Sequence, residues 1–203
     1  TLSIIKNYED SISKFISEKD TGIYDGINKG IRMATGQIVG ILHADDVFAD
    51  NNLLENVARE FRDENKLYGV YGDLVYTKKN DISSVVRYWK SKSFVKNDLY
   101  FGWMPPHPTL FLKKDVFERI GYYNRNYSIS ADYEFILRIF TSNIKVKYLP
   151  KVFYKMRSGG VSNNSLKNIV HKSVEDLRAL KKNEVGGLVS LFFKNFLKLS
   201  QFV

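Results

Sequence analysis

The chain has 203 residues, room for one sizeable domain and a tail, and its 44% hydrophobic content, with 13 Tyr and 14 Phe, excludes a disordered composition. It carries no cysteine, which rules out a disulfide scaffold and cysteine-based zinc sites and suits a reducing compartment. A formal net charge of +9, spread over scattered Lys and Arg, favours acidic partners: nucleotide phosphates, anionic lipid surfaces or nucleic acid.

Near the start, Leu2, Ile5 and Tyr8 recur at helical spacing. The alternation in "ISKFIS" predicts a strand over 12–17. The polar loop "EKDTG" leads into a helix with Ile27, Ile31 and Ala34 on one face, stopped by Gly36. The run "GQIVGIL" is nearly all apolar and predicts a strand covered on both faces, as in a parallel sheet. Strand, helix, strand is the alternation of a doubly wound α/β domain, where ligands sit beyond the carboxyl ends of the strands. Asp45 and Asp46 close the apolar rod at such an end.

Asp50 is placed to cap a helix with Leu54, Val57, Ala58 and Phe61 as its stripe. "LYGVYGDLVYT" reads as a strand, whereas 78–101 shows no assignable period. "TLFLKK" predicts a short strand after "PPHP", and "DVFERIG" a short helix ended by Gly121. "SADYEFILRIF" predicts a helix capped by Ser130, with Phe135, Ile136, Ile139 and Phe140 inward. "IKVKYLP" and "VFYKM" predict two strands, "RSGGVSNN" a loop, and 166–182 a long helix. The apolar tail, read as a helix, sets Leu191, Phe192, Asn195, Phe196 and Leu199 near one face, with Lys194 and Lys198 off it. That pattern suits a membrane interface or packing on the core. No run of about 20 apolar residues reads as a membrane span.

Two acidic clusters carry chemistry. Asp45 and Asp46 repel one another, and a divalent cation would neutralise both, since Mg²⁺ and Mn²⁺ prefer oxygen ligands. The plainer alternative is a turn cap beside a solvated carboxylate. Asp132 and Glu134 stand in the first turn of their helix, where any acid complements the helix dipole. The functional alternative makes Asp132 a general base aimed at a cleft that holds the metal.

The ordered set "SEKDTGIYDGINKGIRMATGQIVGILHADD" resembles the nucleotide-binding half of family 2 glycosyltransferases, at Ser17, Glu18, Asp20, Gly22, Ile23, Tyr24, Asp25, Asn28, Lys29, Gly30, Ala34, Thr35, Gly36, Asp45 and Asp46. "PPHPTLFLKKDVFERIGYYN" and "SADYEFILRI" are similar to the same family. The resemblance implies a GT-A fold: α/β, doubly wound, a mostly parallel sheet incomplete at its N-terminus, with a C-terminal helical tail. It divides the chain into a catalytic domain over 1–162, nucleotide-binding to 50 and acceptor-side beyond, and a tail over 163–203.

The resemblance also assigns roles. Asp46 binds a divalent cation, Mn²⁺ or Mg²⁺, on the donor pyrophosphate, and Asp45 contacts the ribose beside it. Asp20 and Asn28 flank the nucleoside, and Arg157 closes over the phosphates. Asp132 is the base, while Trp103, His107 and Glu134 line the donor and acceptor pocket. His43 stands where the family has Asn and reads as a polar strand-end residue; His171 reads as a plain surface residue.

The implied reaction moves a sugar from a nucleotide-sugar donor to a hydroxyl of a lipid-linked or saccharide acceptor, with inversion, in bacterial surface polysaccharide or glycolipid assembly. The implied place is the cytoplasm, peripheral on the inner face of the membrane through the tail. A nucleotidyltransferase is the rival enzyme, but no Gly-rich basic phosphate loop is visible. A non-catalytic domain is the other rival, and nucleic acid binding lacks a recognition motif. The family opens with a strand, a helix and a second strand ending D-G-S-x-D-G. Against that pattern Thr1 falls where the second strand ends, which predicts a fragment that self-associates and binds nucleotide sugar weakly.

Overall fold

The computed structural model describes residues 1–159 and 166–196. Most of the loop expected at "RSGGVSNN", from Gly160 to Asn164, lies outside the described residues, as do Lys198 and Leu199. A short helix α1, Leu2–Lys6, precedes α2, Ile23–Met33. The strands β1, Ile38–Val39, and β2, Val47–Phe48, flank the aspartate pair, and α3, Leu53–Asp63, follows. Next come β3, Gly69–Lys78, β4, Asp81–Trp89, β5, Phe111–Lys113, and α4, Lys114–Ile120. The chain then forms α5, Ala131–Thr141, β6, Val146–Arg157, α6, Leu166–Lys182, and α7, Leu188–Phe196.

The strands make one sheet in the order β1-β5-β3-β6-β2, with β4 paired to the far half of β3. Only β3 and β6 run parallel among the described strands; the other pairings are antiparallel. The sheet is therefore mixed, which corrects the expectation of a mostly parallel one. Side chains alternate across β3 with the period of two. Val70 and Leu74 face α3, whose Leu53, Val57 and Phe61 cover that side. Tyr71 faces the opposite layer, built from α2, α4, α5 and α6. Each fully buried Leu or Phe there contributes about 1.5–3 kcal/mol relative to exposure.

Several local expectations are corrected. "ISKFIS" forms no strand; Phe15 and Ile16 are exposed, and alternation alone makes no ladder without a hydrogen-bonded neighbour. The apolar rod gives only the two residues of β1, antiparallel to β5. In α3 the buried stripe is Leu53, Val57 and Phe61, and Leu54 turns outward. Asp50 sits two residues early: its carboxylate accepts the Asn52 N–H at 2.9 Å, and Asn52 holds the cap position. The two strands expected around Pro150 are one strand. Its register against β3 shifts between Tyr71 and Leu74, opposite 149–151. Proline has no N–H for a ladder, so the strand bulges past it and resumes.

The tail packs on the domain. Ala179 and Leu180 of α6, with Val185, belong to the main core. Lys194 of α7 is 3% exposed, pairs with Asp176 of α6 at 2.6 Å and lies 3.4 Å from the centre of the Tyr133 ring. Lys172 meets the same Asp176 carboxylate at 2.6 Å. Gly102, at φ +71°, carries no Cβ to collide with the Ser190 carbonyl of α7, and the Ser190 hydroxyl donates to the Tyr100 carbonyl at 2.5 Å.

Burial pushes the Asp176 carboxyl up, but Lys194 and Lys172 outweigh it and hold it at about 2. Its contribution to stability is complete above the ordinary carboxylate pKa near 4 and is lost as pH falls toward 2. Asp176→Ala should cost about 3–5 kcal/mol, because it strands a buried ammonium. Urea melts at pH 7 and pH 3 check this: the wild type should lose stability between them, and the variant should lose less.

Candidate active site

Asp46 immediately precedes β2, in a turn closed by its N–H donating to the His43 carbonyl at 3.0 Å. The antiparallel pairing of β2 with the end of β6 sets its place. Its side chain is 7% exposed, whereas Asp45 beside it faces solvent. Burial pushes the Asp46 carboxyl up; His43 and the backbone N–H of Arg157 lower it in part, and Asp45 raises it further. Oδ2 of Asp46 is buried and has no hydrogen-bond partner among the described residues. An orphaned carboxylate oxygen beside a second carboxylate is a donor set that fits a hard divalent cation. Among the described residues no group of three or more His, Cys, Asp or Glu gathers for a metal.

Asp132 comes to the same neighbourhood from the start of α5. Its Oδ1 accepts the Tyr24 hydroxyl at 3.2 Å and the Tyr133 N–H at 2.8 Å. The Tyr76 phenol near the end of β3 is raised by burial, lowered by Arg87, and raised by both Asp46 and Asp132. One side chain thus feels both carboxylates, although they stand 86 residues apart in the chain.

His107 joins them. It is buried, its Nε2 lies 2.6 Å from the Tyr123 hydroxyl, and burial lowers its pKa to about 4, with Asp132 raising it and His43 lowering it. His107 is therefore neutral at pH 7. The Tyr123 ring stacks on Tyr24 at 5.8 Å. His107, Tyr123, Tyr24 and the half-buried Asp132 form a continuous contact chain.

The start of α5 is fixed from outside the helix. Ser130 occupies the cap position, but its side chain makes no cap bond. Glu175 of α6 supplies the acceptor instead, taking the N–H groups of Ser128, Ile129 and Ser130 at 2.7, 2.9 and 2.9 Å. Burial raises the Glu175 carboxyl, and these donors with His171 bring it down to about 2. His171 is more than a surface residue: it lies 3.0 Å from Glu175 and 3.1 Å from Ser128. No sequence signal marked Glu175, because its partners are backbone groups of a distant loop.

The other expected site residues are placed differently. Asn28 is 1% exposed and spends its amide on Tyr123, donating to the carbonyl at 2.9 Å and accepting the N–H at 3.0 Å. It holds Tyr123 in place through both ends of its amide. Asp20 is exposed and paired with Lys29 at 2.7 Å. Arg157 donates from its side chain to the Lys79 carbonyl at 2.8 Å. Trp103 stacks on Phe94 at 5.7 Å and meets Phe140 edge-on, eight residues along α5 from Asp132, or about 12 Å.

Glu134 is not in the pocket with Asp132. Two helix positions apart they point about 200° from each other. Glu134 is fully buried and pairs with Arg138 and Lys182, both at 2.9 Å. It lines a 790 Å³ cleft with Arg32, Arg125 and Arg138, whose wall also includes Asn28 and Tyr123.

A buried neutral histidine makes stability depend on pH. The folded pKa of His107 lies below the ordinary 6.5, so its contribution is complete above that value and is lost as pH falls toward 4. The full swing is about 3 kcal/mol. Thermal melts between pH 7 and 4 should show this decline, and His107→Gln should flatten it.

Residues 1–121 match the model of the family described as Glycosyl transferase family 2. A PGL/p-HBAD biosynthesis glycosyltransferase of Mycobacterium bovis (strain BCG / Pasteur 1173P2) is 30% identical over 148 residues, covering 72% of this chain and 55% of that protein. An uncharacterized glycosyltransferase of Mycobacterium tuberculosis (strain ATCC 25618 / H37Rv) is 24% identical over 144 residues, 68% of this chain and 51% of its own length. The chain spans about half the length of these curated relatives. Among solved structures, S. aureus TarS 1-349 in complex with UDP superposes with a TM-score of 0.62 at 16% identity, over 96% of this chain and 55% of that one. The mannosyltransferase PcManGT from Pyrobaculum calidifontis, in complex with GDP-Man and Mn²⁺, gives 0.60 at 15% identity, over 97% and 56%. At such identities the likeness is one of fold. The family match over more than half of the chain, and the shared GT-A architecture, settle its membership: the chain belongs to glycosyl transferase family 2.

Proposed function

We propose that this chain is the catalytic part of an inverting glycosyltransferase that takes a sugar from a nucleotide-sugar donor to an acceptor hydroxyl. The observation that supports this best is the buried Oδ2 of Asp46, which has no hydrogen-bond partner among the described residues and stands beside the carboxylate of Asp45, a donor pair suited to a cation. Asp132 is hydrogen-bonded into position by Tyr24. TarS with UDP and PcManGT with GDP-Man and Mn²⁺ share the fold, and their ligands name the donor class to try first.

Asp46, with Asp45 at its side, would hold the divalent cation, which when bound offsets negative charge growing on the diphosphate leaving group. Asp132 accepts the proton of the attacking hydroxyl while the new bond forms at the anomeric carbon and the bond to the diphosphate breaks. Tyr24 keeps its Oδ1 oriented. The neutral His107 can donate or accept a hydrogen bond at the pocket wall without adding charge. The acceptor we favour is saccharide or lipid-linked, as in bacterial surface polysaccharide or glycolipid assembly, at the cytoplasmic face of the membrane.

Two variants separate the roles. Asp132→Asn should lower turnover about 10²-fold or more, read as nucleoside diphosphate release with a donor panel and Mn²⁺, while donor affinity stays near that of the wild type. Asp46→Ala should remove the Mn²⁺-dependent part of UDP or GDP binding in calorimetric titration. Unchanged metal dependence in Asp46→Ala would overturn its assignment.

A further inference from the structure

The sequence places Lys194 off the apolar face of the last helix. The structure turns α7 the other way: Lys194 and Ser190 face the core, and Leu188, Val189, Phe192 and Phe196 face outward at 58–71% exposure. The Lys194–Asp176 pair and the Ser190–Tyr100 hydrogen bond fix that rotation. Phe101 and Tyr100, on the 3₁₀ turn Lys96–Phe101, extend the patch at 53% and 44% exposure. The rings are contiguous: Phe101 meets Phe193 at 5.4 Å, Phe193 meets Phe192 at 5.8 Å, and Phe192 stacks on Phe196 at 6.2 Å. Contiguous exposed apolar patches of this kind mark interaction surfaces.

We propose that this aromatic ridge of α7 and the Lys96–Phe101 turn docks on an anionic membrane surface. Charge selects that occupant. Exposed Lys96 lies on the turn itself, exposed Lys181 stands in the last turn of α6, and α7 carries no acidic residue. Asp98 is paired with Lys92, which leaves Glu184 as the exposed carboxylate at the joint between α6 and α7. A second copy would bring another +9 chain and its lysines against the first, whereas anionic lipid attracts them. Phenylalanines with flanking lysines are the composition that settles at the boundary of headgroups and acyl chains. No described helix is long and apolar enough to cross a membrane, so the contact is interfacial. This inference stands apart from the transfer reaction and is read without it.

Co-sedimentation with phosphatidylcholine vesicles, with and without phosphatidylserine, tests it on the full chain. The wild type should bind the anionic vesicles, more weakly as salt rises. Phe192→Ser with Phe196→Ser should lower that partitioning at least about tenfold, with an unchanged melting temperature because both side chains are exposed. Leu188→Gln with Val189→Gln is the second variant should the first unfold. Equal binding by wild type and both variants, or no binding by the wild type, overturns the proposal. Loss in the variants of a concentration-dependent dimer, with vesicle binding unmoved, overturns it in favour of a second copy.

Discussion

The Glu175 carboxylate carries more of this architecture than any other single group. Three successive backbone N–H groups, from Ser128 to Ser130, converge on it just before α5 begins. Buried N–H groups without acceptors are costly, and the first turn of a helix has none of its own to offer. Here the acceptor comes from α6, and Tyr24 of α2 grips the same loop from the other side by donating to the Ile129 carbonyl at 2.6 Å. The residue that α5 presents first, Asp132, is therefore positioned jointly by α2 and α6. The helical tail is part of the site's foundation.

The two blocks of family-like sequence are joined to each other more than they are exposed to a ligand. Asn28 clamps Tyr123, Tyr24 stacks on it, and His107 meets its hydroxyl. Lys29 gathers Glu18, Asp20 and Asp25 at the head of α2. Asn28 and Tyr24, which belong to the family-like motif, also join α2 to the loop that precedes α5. A change at Asn28 would reach the chemistry through Tyr123 and Tyr24.

Charge is handled in two ways. Buried acids are paired with cations or backbone donors: Glu134 with Arg138 and Lys182, Asp176 with Lys172 and Lys194, Glu175 with its loop. Asp46 has a buried oxygen, Oδ2, without a hydrogen-bond partner among the described residues, as do Asp115 and Asp176 at Oδ1. An unmatched carboxylate is expensive wherever it serves packing alone, so the retention of Asp46 just before β2, beside Asp45, supports a ligand role. The same economy explains α7, where pairing Lys194 inward sets the aromatic face outward.

The helices were legible from the chain alone, because helical hydrogen bonds close within four residues and the 3.6-residue period is local. The long helix expected over 166–182 is Leu166–Lys182, and Gly121 ends α4 at φ +84° as its sequence position suggests. The family-like motifs likewise identified the aspartate pair and Asp132 as the residues to follow. Strands depend on partners far along the chain. Tertiary structure alone decided that 12–17 pairs with nothing described, that β4 exists, that β6 runs through Pro150, and that the sheet is mixed. It also decided which way each polar side chain faces. Asp132 and Glu134 are two residues apart and serve different sides of α5, and Lys194 lies inward although its helix pattern reads otherwise. Facing is set by what packs against an element, and the residues that do the packing here, Glu175 and Asp176 above all, are remote in sequence from those they place.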